Sequence, residues 1–205
     1  MSSVEDTTVL RLVLASGSPR RAALLARLGL HPVVRPPEID ETALPGEDAT
    51  AMVLRLATTK AGAAPTLDDE VVLAADTAVV LDGRALGKPS DRADAAAMLR
   101  ALSGRRHEVL TAIAVRRGHE HHDTVVSTAV QVRSLSETEV AWYLDTGEPD
   151  DKTGGYGLQG AGAALIARID GSDTNVMGLP LAETVDLLRR VGVDPLRPVH
   201  RTTGR

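Results

Sequence analysis

The sequence of 205 residues contains no cysteine and no phenylalanine, and it has only one tryptophan and two tyrosines. The lack of cysteine excludes disulfides, zinc–thiolate sites and thiol nucleophiles. Any metal that the protein binds is therefore expected to be a hard cation held by carboxylates. So few aromatic rings also argue against a platform that stacks single-stranded nucleic acid.

The sequence also lacks an excess of basic residues and any long apolar run. Its formal net charge is −5, whereas a protein that binds duplex nucleic acid usually has a basic surface. No apolar run approaches the about 18 residues of a membrane span, and no basic start followed by an apolar stretch begins the chain. We therefore expect a cytoplasmic protein that binds neither nucleic acid nor membrane. One domain is predicted over residues 9–195, with loose termini over 1–8 and 196–205.

Strand-like and helix-like segments alternate along the chain, with hairpins as well as crossovers, which is typical of an α/β protein with a mixed sheet. Predicted strands cover residues 10–15, 71–81, 109–115, 124–132 and 163–169. Predicted helices cover residues 19–29, 49–62, 91–102, 138–144 and 179–191. Asp82-Gly83 predicts a hairpin turn. The glycine-rich stretch 147–162 is expected to act as a hinge or to line a cleft between two lobes.

The segment 16–21, Ser-Gly-Ser-Pro-Arg-Arg, follows the first strand and predicts a tight turn and a helix start. Ser18 suits the N-cap and Pro19 the first helical position. Arg20 and Arg21 then occupy the first turn, where the helix dipole disfavours cations. A phosphate would offset this clash, although a surface helix with two solvated arginines remains an alternative. The segment matches neither the Walker loop nor the dinucleotide-binding fingerprint.

Asp76 interrupts a strand that is otherwise apolar on both sides. A carboxylate in such a strand is costly unless a cation, a metal or hydrogen-bond donors hold it. The hairpin at Asp82-Gly83 would bring Lys88 towards Asp76. The pair therefore suggests a metal-binding or water-activating carboxylate with a phosphate-binding lysine, and a structural carboxylate buried against an arginine is the alternative.

Three further segments carry weaker signals. Asp40 and Glu41 are adjacent, so only one of them can enter a given site, and a solvated turn is the alternative for the pair. Gln159 lies in the glycine-rich stretch and offers both a donor and an acceptor to a base edge. The histidines of the charged run 116–123 are predicted to lie in a solvated hairpin loop rather than to bind metal; they are His119, His121 and His122.

Six motifs, in order between about Leu12 and Leu188, resemble the Maf family of nucleoside triphosphate pyrophosphatases. The motifs are Ser16-x-Ser18-Pro19-Arg20-Arg21, Glu38-Ile39-Asp40-Glu41, Ala75-Asp76-Thr77, Gly87-Lys88-Pro89, Leu102-Ser103-Gly104 and Glu148-Pro149-x-Asp151-Lys152-x-Gly154-x-Tyr156-Gly157-x-Gln159-Gly160. The resemblance implies an elongated α/β fold with a central cleft between two lobes, similar to the inosine-triphosphate pyrophosphatases, and usually a homodimer. It also implies hydrolysis of a nucleoside triphosphate to the monophosphate and pyrophosphate, with a divalent cation such as Mg²⁺, Mn²⁺ or Co²⁺.

The resemblance also assigns expected roles to individual residues. Asp76 is the expected proton acceptor, with Lys88 and Glu41 also catalytic, and Glu41 and Asp76 are the expected metal ligands. The residues expected to bind substrate are Ser16, Arg20, Arg21, Lys60, Thr77, Lys152 and Gln159. The combination of Arg20, Thr77 and Gln159 is similar to the branch that acts on dTTP and UTP, including modified pyrimidine nucleotides.

This activity would remove unwanted nucleotides from cellular pools and would also allow a role in division arrest. A non-catalytic nucleotide sensor that regulates septum formation would keep the phosphate-binding cleft and lack the catalytic base. A nucleotidyltransferase would need an acceptor pocket that the sequence does not reveal. The presence of both Asp76 and Lys88 favours the enzyme.

Overall fold

The computed structural model describes residues 10–196, which form a mixed seven-stranded sheet with helices on both faces. The strands are β1 (Arg11–Leu14), β2 (Val33–Val34), β3 (Glu70–Leu81), β4 (Arg84–Leu86), β5 (Arg106–Arg117), β6 (Glu120–Val132) and β7 (Ile166–Asp170). The helices are α1 (Pro19–Arg27), α2 (Ala49–Ala63), α3 (Arg92–Leu102), α4 (Glu137–Asp145), α5 (Asp173–Val176) and α6 (Leu181–Arg190). The predicted α/β class with a mixed sheet is confirmed.

The sheet has the order β2-β1-β3-β5-β6-β7, and β4 also pairs with β3. β1 runs parallel to β2 and β3, whereas the pairs β3–β5, β5–β6 and β6–β7 are antiparallel. Side chains of β3 alternate between two buried clusters, with Ala74 and Ala78 on the α2 side and Leu73 and Ala75 on the α1 and α6 side. Because both faces are covered, β3 is apolar almost throughout.

An interruption in the pairing of β3 creates the cleft of the molecule. β1 pairs with β3 as far as Leu73, and β4 begins to pair with the same edge only at Val79. The two central residues of the β3–β4 turn, Asp82 and Gly83, both have positive φ angles, 52° and 76°. This is the two-residue hairpin that the Asp-Gly pair predicts. The edge of β3 around Asp76 is therefore left open between two strands.

The charged run 116–123 is not the loop that the sequence predicts. β5 and β6 continue through it as a ladder, closed by the two-residue turn Gly118-His119, with His121 opposite Arg116 and His122 opposite Val115. Polar side chains suit such a hairpin because its faces are largely open to solvent. The prediction of a loop was therefore wrong for His121 and His122.

Other elements also differ from the prediction. Residues Ala161–Leu165 form a 3₁₀ helix, so the last strand begins only at Ile166, and the short helix α5 was not predicted. The termini predicted to be loose lie outside the described residues except for Leu196. Within the described range, none of the helices is long and apolar enough to cross a membrane.

Candidate active site

A cleft of about 870 Å³ opens at the unpaired edge of β3. Its walls come from the β1–α1 turn, α2, β3, the segment after β4 and the glycine-rich stretch. All ten residues that the sequence analysis assigns to a site line this one cleft: Ser16, Arg20, Arg21, Glu41, Lys60, Asp76, Thr77, Lys88, Lys152 and Gln159. The fold thus brings together side chains that are separated by up to 143 positions in the chain, from 16 to 159.

The start of α1 contributes backbone donors to the cleft. Ser18 occupies the N-cap position, but its side chain makes no capping hydrogen bond, so that part of the prediction was wrong. The Ser18 N–H instead donates to Ser16 Oγ at 3.3 Å. Without a side-chain cap, the first N–H groups of the helix remain suited to binding an anion.

The two arginines of this turn have different surroundings. Arg21 is buried and donates from Nε to the Gly178 carbonyl at 2.8 Å, from Nη1 to Ser16 Oγ at 2.8 Å and from Nη2 to Thr77 Oγ1 at 3.1 Å. Burial lowers the pKa of Arg21. Arg20 is paired with the exposed Asp151 at 2.9 Å, so in the described structure this carboxylate supplies the anion that the helix start requires.

Lys60 joins two carboxylates at the deep end of the cleft. It lies near the end of α2, whose N-cap Asp48 accepts the Ala51 N–H at 2.8 Å. Lys60 Nζ lies 2.7 Å from Asp76 Oδ1 and 2.9 Å from Glu41 Oε1. Burial raises the pKa of Asp76, while the charge and hydrogen bond of Lys60 oppose that shift.

Of the adjacent acidic pair, Glu41 reaches Lys60, whereas Asp40 accepts the Thr42 N–H at 2.9 Å. This agrees with the expectation that only one of the two enters a site. Two carboxylates converging on one ammonium are also suited to share a divalent cation with the phosphates of a substrate. Among the described residues no group of three or more His, Asp or Glu forms a protein-only metal cage, so substrate oxygens or water would complete the coordination of a cation held there.

Two further lysines line the opposite side of the cleft. Lys88 is exposed and has no hydrogen-bond or ion-pair partner within residues 10–196. Lys152 contacts Asp151 and donates to the Glu148 carbonyl at 3.3 Å. Lys88 is therefore the more readily available of the two for a phosphate group.

The glycine-rich stretch is fixed by a carboxylate for which the sequence analysis gave no separate role. Glu148 accepts the N–H of Ala161 at 2.7 Å and that of Gly162 at 3.2 Å. A Cβ at Gly160 would run into the Glu148 carboxylate, so a side chain there would displace Glu148 from this anchor. This anchor holds the exposed Gln159 at the rim of the cleft.

Sequence reasoning gave no role to His107, and the structure places it behind the cleft wall. His107 Nε2 lies 2.7 Å from the hydroxyl of Tyr156, and the two rings meet edge to face. Burial lowers the pKa of His107 to about 4. Tyr156 itself lines the cleft. A histidine at the start of an apolar strand gives no sequence signal for this contact, because its partner is 49 residues away.

The free energy of unfolding is expected to fall as the pH drops from about 6.5 to 4. Below its ordinary pKa of 6.5, His107 takes up a proton more readily in the unfolded chain than in the folded one. The loss attributable to His107 amounts to roughly 3 kcal/mol. Denaturant titrations across this range should show a flatter profile for His107→Gln than for wild type, with His31→Gln at an exposed position as the control substitution. Parallel profiles for wild type and His107→Gln would contradict this assignment.

Comparison with known proteins adds the family to this geometry. The family model described as "Maf-like protein" matches residues 11–191. The chain belongs to the Maf family. A protein of Anaeromyxobacter dehalogenans strain 2CP-1 named dTTP/UTP pyrophosphatase is 56% identical over 186 residues, which cover 89% of this chain and 94% of the relative.

A second curated relative agrees with the family assignment. A dTTP/UTP pyrophosphatase of Roseobacter denitrificans is 51% identical over 181 residues, covering 88% of this chain and 96% of that protein. The solved structure of the Staphylococcus aureus Ham1 protein is a distant neighbour, with 15% identity, a TM-score of 0.48 and coverage of 88% of this chain and 97% of its own. The family model and the two pyrophosphatase relatives confirm the Maf family that the six sequence motifs suggest.

Proposed function

We propose that this chain hydrolyses nucleoside triphosphates, with dTTP and UTP preferred, to the monophosphate and pyrophosphate. The observation that carries the proposal is a single cleft in which the buried carboxylate Asp76 lies among cationic side chains suited to a polyphosphate. The names of relatives about half identical to the chain over nearly all of their length support the choice of substrate.

The charges of the cleft are suited to a triphosphate even though the whole chain is acidic, with a net charge of −5. Lys88 and Arg20 lie where they can meet phosphate oxygens, Arg20 by exchanging its exposed partner Asp151 for the substrate. An exposed ion pair of this kind contributes little to stability, so its exchange costs little. The uncapped start of α1 offers N–H donors to the same anion.

Asp76 is suited to act as general base for the attacking water. Burial raises the pKa of Asp76, which makes the carboxylate a better proton acceptor, and the ion pair with Lys60 keeps it ionised and oriented. A positioned water that loses its proton to Asp76 then attacks the α-phosphorus of the substrate, and the anhydride bond between the α and β phosphates breaks. Pyrophosphate leaves, and no covalent intermediate is required.

Asp76 and Glu41 are the residues that would hold a divalent cation. Such a cation would neutralise phosphate charge and polarise a phosphoryl oxygen. Lys60 lies within 2.9 Å of both carboxylates, so it balances their charge in the described structure. With a cation bound between the two carboxylates, Lys60 would contact the substrate or the carboxylate oxygens that do not bind the cation.

Base selection is assigned to Arg20, Thr77 and Gln159, which line the same cleft. A site built from hydrogen-bonding groups rejects a base that leaves those groups unpaired. Thr77 lies at the floor of the cleft and Gln159 at its rim, and the amide of Gln159 makes no hydrogen bond within residues 10–196. These positions support a role for both side chains in contacting a pyrimidine edge.

Replacing Gln159 by alanine is expected to lower kcat/KM for dTTP and UTP by about 5–150-fold, because the base loses a partner worth about 1–3 kcal/mol. Binding of pyrophosphate, which has no base, should change little. Steady-state rates with dTTP, UTP, CTP and GTP on wild type and variant measure the effect. An unchanged order of preference, or a wild type that prefers a purine, would remove Gln159 from base selection.

The proposed activity is tested by incubating the protein with each common nucleoside triphosphate and Mg²⁺ or Mn²⁺ and measuring kcat/KM. We expect turnover of dTTP and UTP above that of the other nucleotides. Tight binding without turnover would support the nucleotide sensor of septum formation instead. Turnover only in the presence of a second hydroxyl or phosphate acceptor would support the nucleotidyltransferase. We also propose that the protein is a cytoplasmic homodimer. Its activity would remove unwanted nucleotides from cellular pools and contribute to division arrest.

A further inference from the structure

Two threonine hydroxyls and a backbone carbonyl form a chain beneath the cleft. Thr77 on β3 and Thr111 on β5 are directly opposite each other, and their Oγ1 atoms lie 3.0 Å apart. Thr111 Oγ1 also lies 3.0 Å from the carbonyl oxygen of Asn175. On its other side, Thr77 Oγ1 lies 3.1 Å from Nη2 of Arg21. Thr111 is fully buried, whereas Thr77 is partly exposed to the cleft.

The donors in this chain can be assigned because both of its ends are unambiguous. A backbone carbonyl only accepts and a guanidinium only donates. Thr111 therefore gives its single hydroxyl proton to the Asn175 carbonyl and has none left for Thr77. The contact between the two threonines then requires Thr77 to donate to Thr111. Thr77 also accepts from Arg21, so its one proton is committed and one lone pair remains.

The neighbouring backbone keeps this arrangement in place. The Gly178 N–H donates to the same Asn175 carbonyl at 2.9 Å, and the Gly178 carbonyl accepts from Arg21 Nε at 2.8 Å. A Cβ at Gly178, where φ is +99°, would lie 3.3 Å from Thr77 Oγ1, so the backbone packs closely against the hydroxyl. Thr77 is thus surrounded by partners that fix both its position and the direction of its proton.

We propose that Thr111 determines base selectivity by holding the proton of Thr77, so that Thr77 can only accept a hydrogen bond from the base. This proposal rests on the proposed function and makes its base preference more specific. Uracil and thymine carry an N3–H donor, whereas N3 of cytosine is an acceptor. The remaining lone pair of Thr77 pairs with the N3–H of uracil or thymine and opposes N3 of cytosine. Thr111 is a positioning residue, since it acts on the base through Thr77.

The test replaces Thr111 by valine, which keeps the shape of the side chain and removes its hydroxyl, and by serine, which keeps the hydroxyl. Thr128→Val is the matched control, because Thr128 is also buried, hydrogen-bonds Ser172 at the N-cap of α5 and Asn175 within that helix, and has no hydrogen bond with Thr77. Calorimetry with the α,β-methylene analogues of UTP and CTP gives the binding preference. Steady-state kinetics with UTP and CTP give the corresponding ratio of kcat/KM.

We expect Thr111→Val to lower the preference for UTP over CTP by about tenfold, equivalent to one hydrogen bond, because the freed Thr77 hydroxyl can donate to cytosine. The change in the ratio should come from tighter binding of the CTP analogue and a higher kcat/KM for CTP, rather than from weaker binding or slower turnover of UTP. Thr111→Ser and Thr128→Val should keep the wild-type ratio. Thr111→Ala provides a second hydroxyl deletion in case the valine variant does not fold.

An unchanged ratio in the folded hydroxyl-deletion variant, or the same change in Thr128→Val, would overturn the proposal. A wild type that binds both analogues equally would overturn it too. Failure of the proposed function has a different result, namely no release of UMP and pyrophosphate from UTP by the wild type. The binding ratios of the analogues decide the role of Thr111 in that case as well, because they require no turnover.

Discussion

Replacement of Asp76 by asparagine is expected to lower kcat by about 10²–10⁴-fold, the usual contribution of a positioned general base. Asparagine keeps the size of the side chain and an oxygen that can accept from Lys60, which lies 2.7 Å from the carboxylate. It has no negative charge with which to accept the proton of water. Nucleotide binding should persist, because removing a carboxylate relieves its repulsion of the phosphates.

Quenched time courses of dTTP and UTP hydrolysis measure this effect, and thermal unfolding checks that the variant folds. Asp40→Asn is the matched control, since Asp40 neighbours Glu41 but makes its contact with the Thr42 backbone instead of with Lys60. The control should turn over within a few-fold of wild type, as exposed substitutions usually have small effects. Near-normal kcat in Asp76→Asn would remove Asp76 from the mechanism.

Removal of divalent cations is expected to lower hydrolysis by at least about 10²-fold, because a Lewis acid contributes several kcal/mol to phosphoryl chemistry. The carboxylates of Glu41 and Asp76 are hard oxygen ligands, so Mg²⁺, Mn²⁺ or Co²⁺ should restore activity after chelation. Rates are measured in protein freed of metal by a chelator, with each cation then added separately. Full activity in protein shown to be metal-free would contradict the expectation.

The histidines of the β5–β6 hairpin provide the control for this assignment. The triple variant in which His119, His121 and His122 are changed to alanine should keep both activity and the response to metal. These residues lie at or near the turn of the hairpin, and none of them lines the cleft. If the triple variant loses activity or no longer requires metal, the assignment of the metal to the carboxylates of Glu41 and Asp76 would be wrong.

The sequence was most informative where a residue type opposed its surroundings. Asp76 in an apolar strand and Arg20 at the wrong end of a helix both indicated a ligand or a buried partner. The Asp82-Gly83 pair predicted the hairpin that carries Lys88 to the cleft, because two positive φ angles are needed there. Such local conflicts and turn preferences depend on only a few adjacent residues, so they can be recognised from the sequence alone.

Contacts between distant residues were not accessible in this way. Lys60 is a natural residue for a helix C-terminus, and nothing in its local pattern shows that it pairs with Asp76. His107 and Thr111 have the alternation of an ordinary strand, and their partners lie 49 and 34 positions away. The polar run at His121 was mistaken for a loop because an open hairpin and a loop share the same polarity.

Phosphorus NMR of a single UTP hydrolysis reaction tests the central claim most directly, because it identifies which anhydride bond breaks. The account predicts UMP and pyrophosphate in equal amounts as UTP disappears, and it predicts that Asp76→Asn forms both at least about 10²-fold more slowly. Accumulation of UDP and inorganic phosphate, or equal rates for wild type and Asp76→Asn, would contradict it.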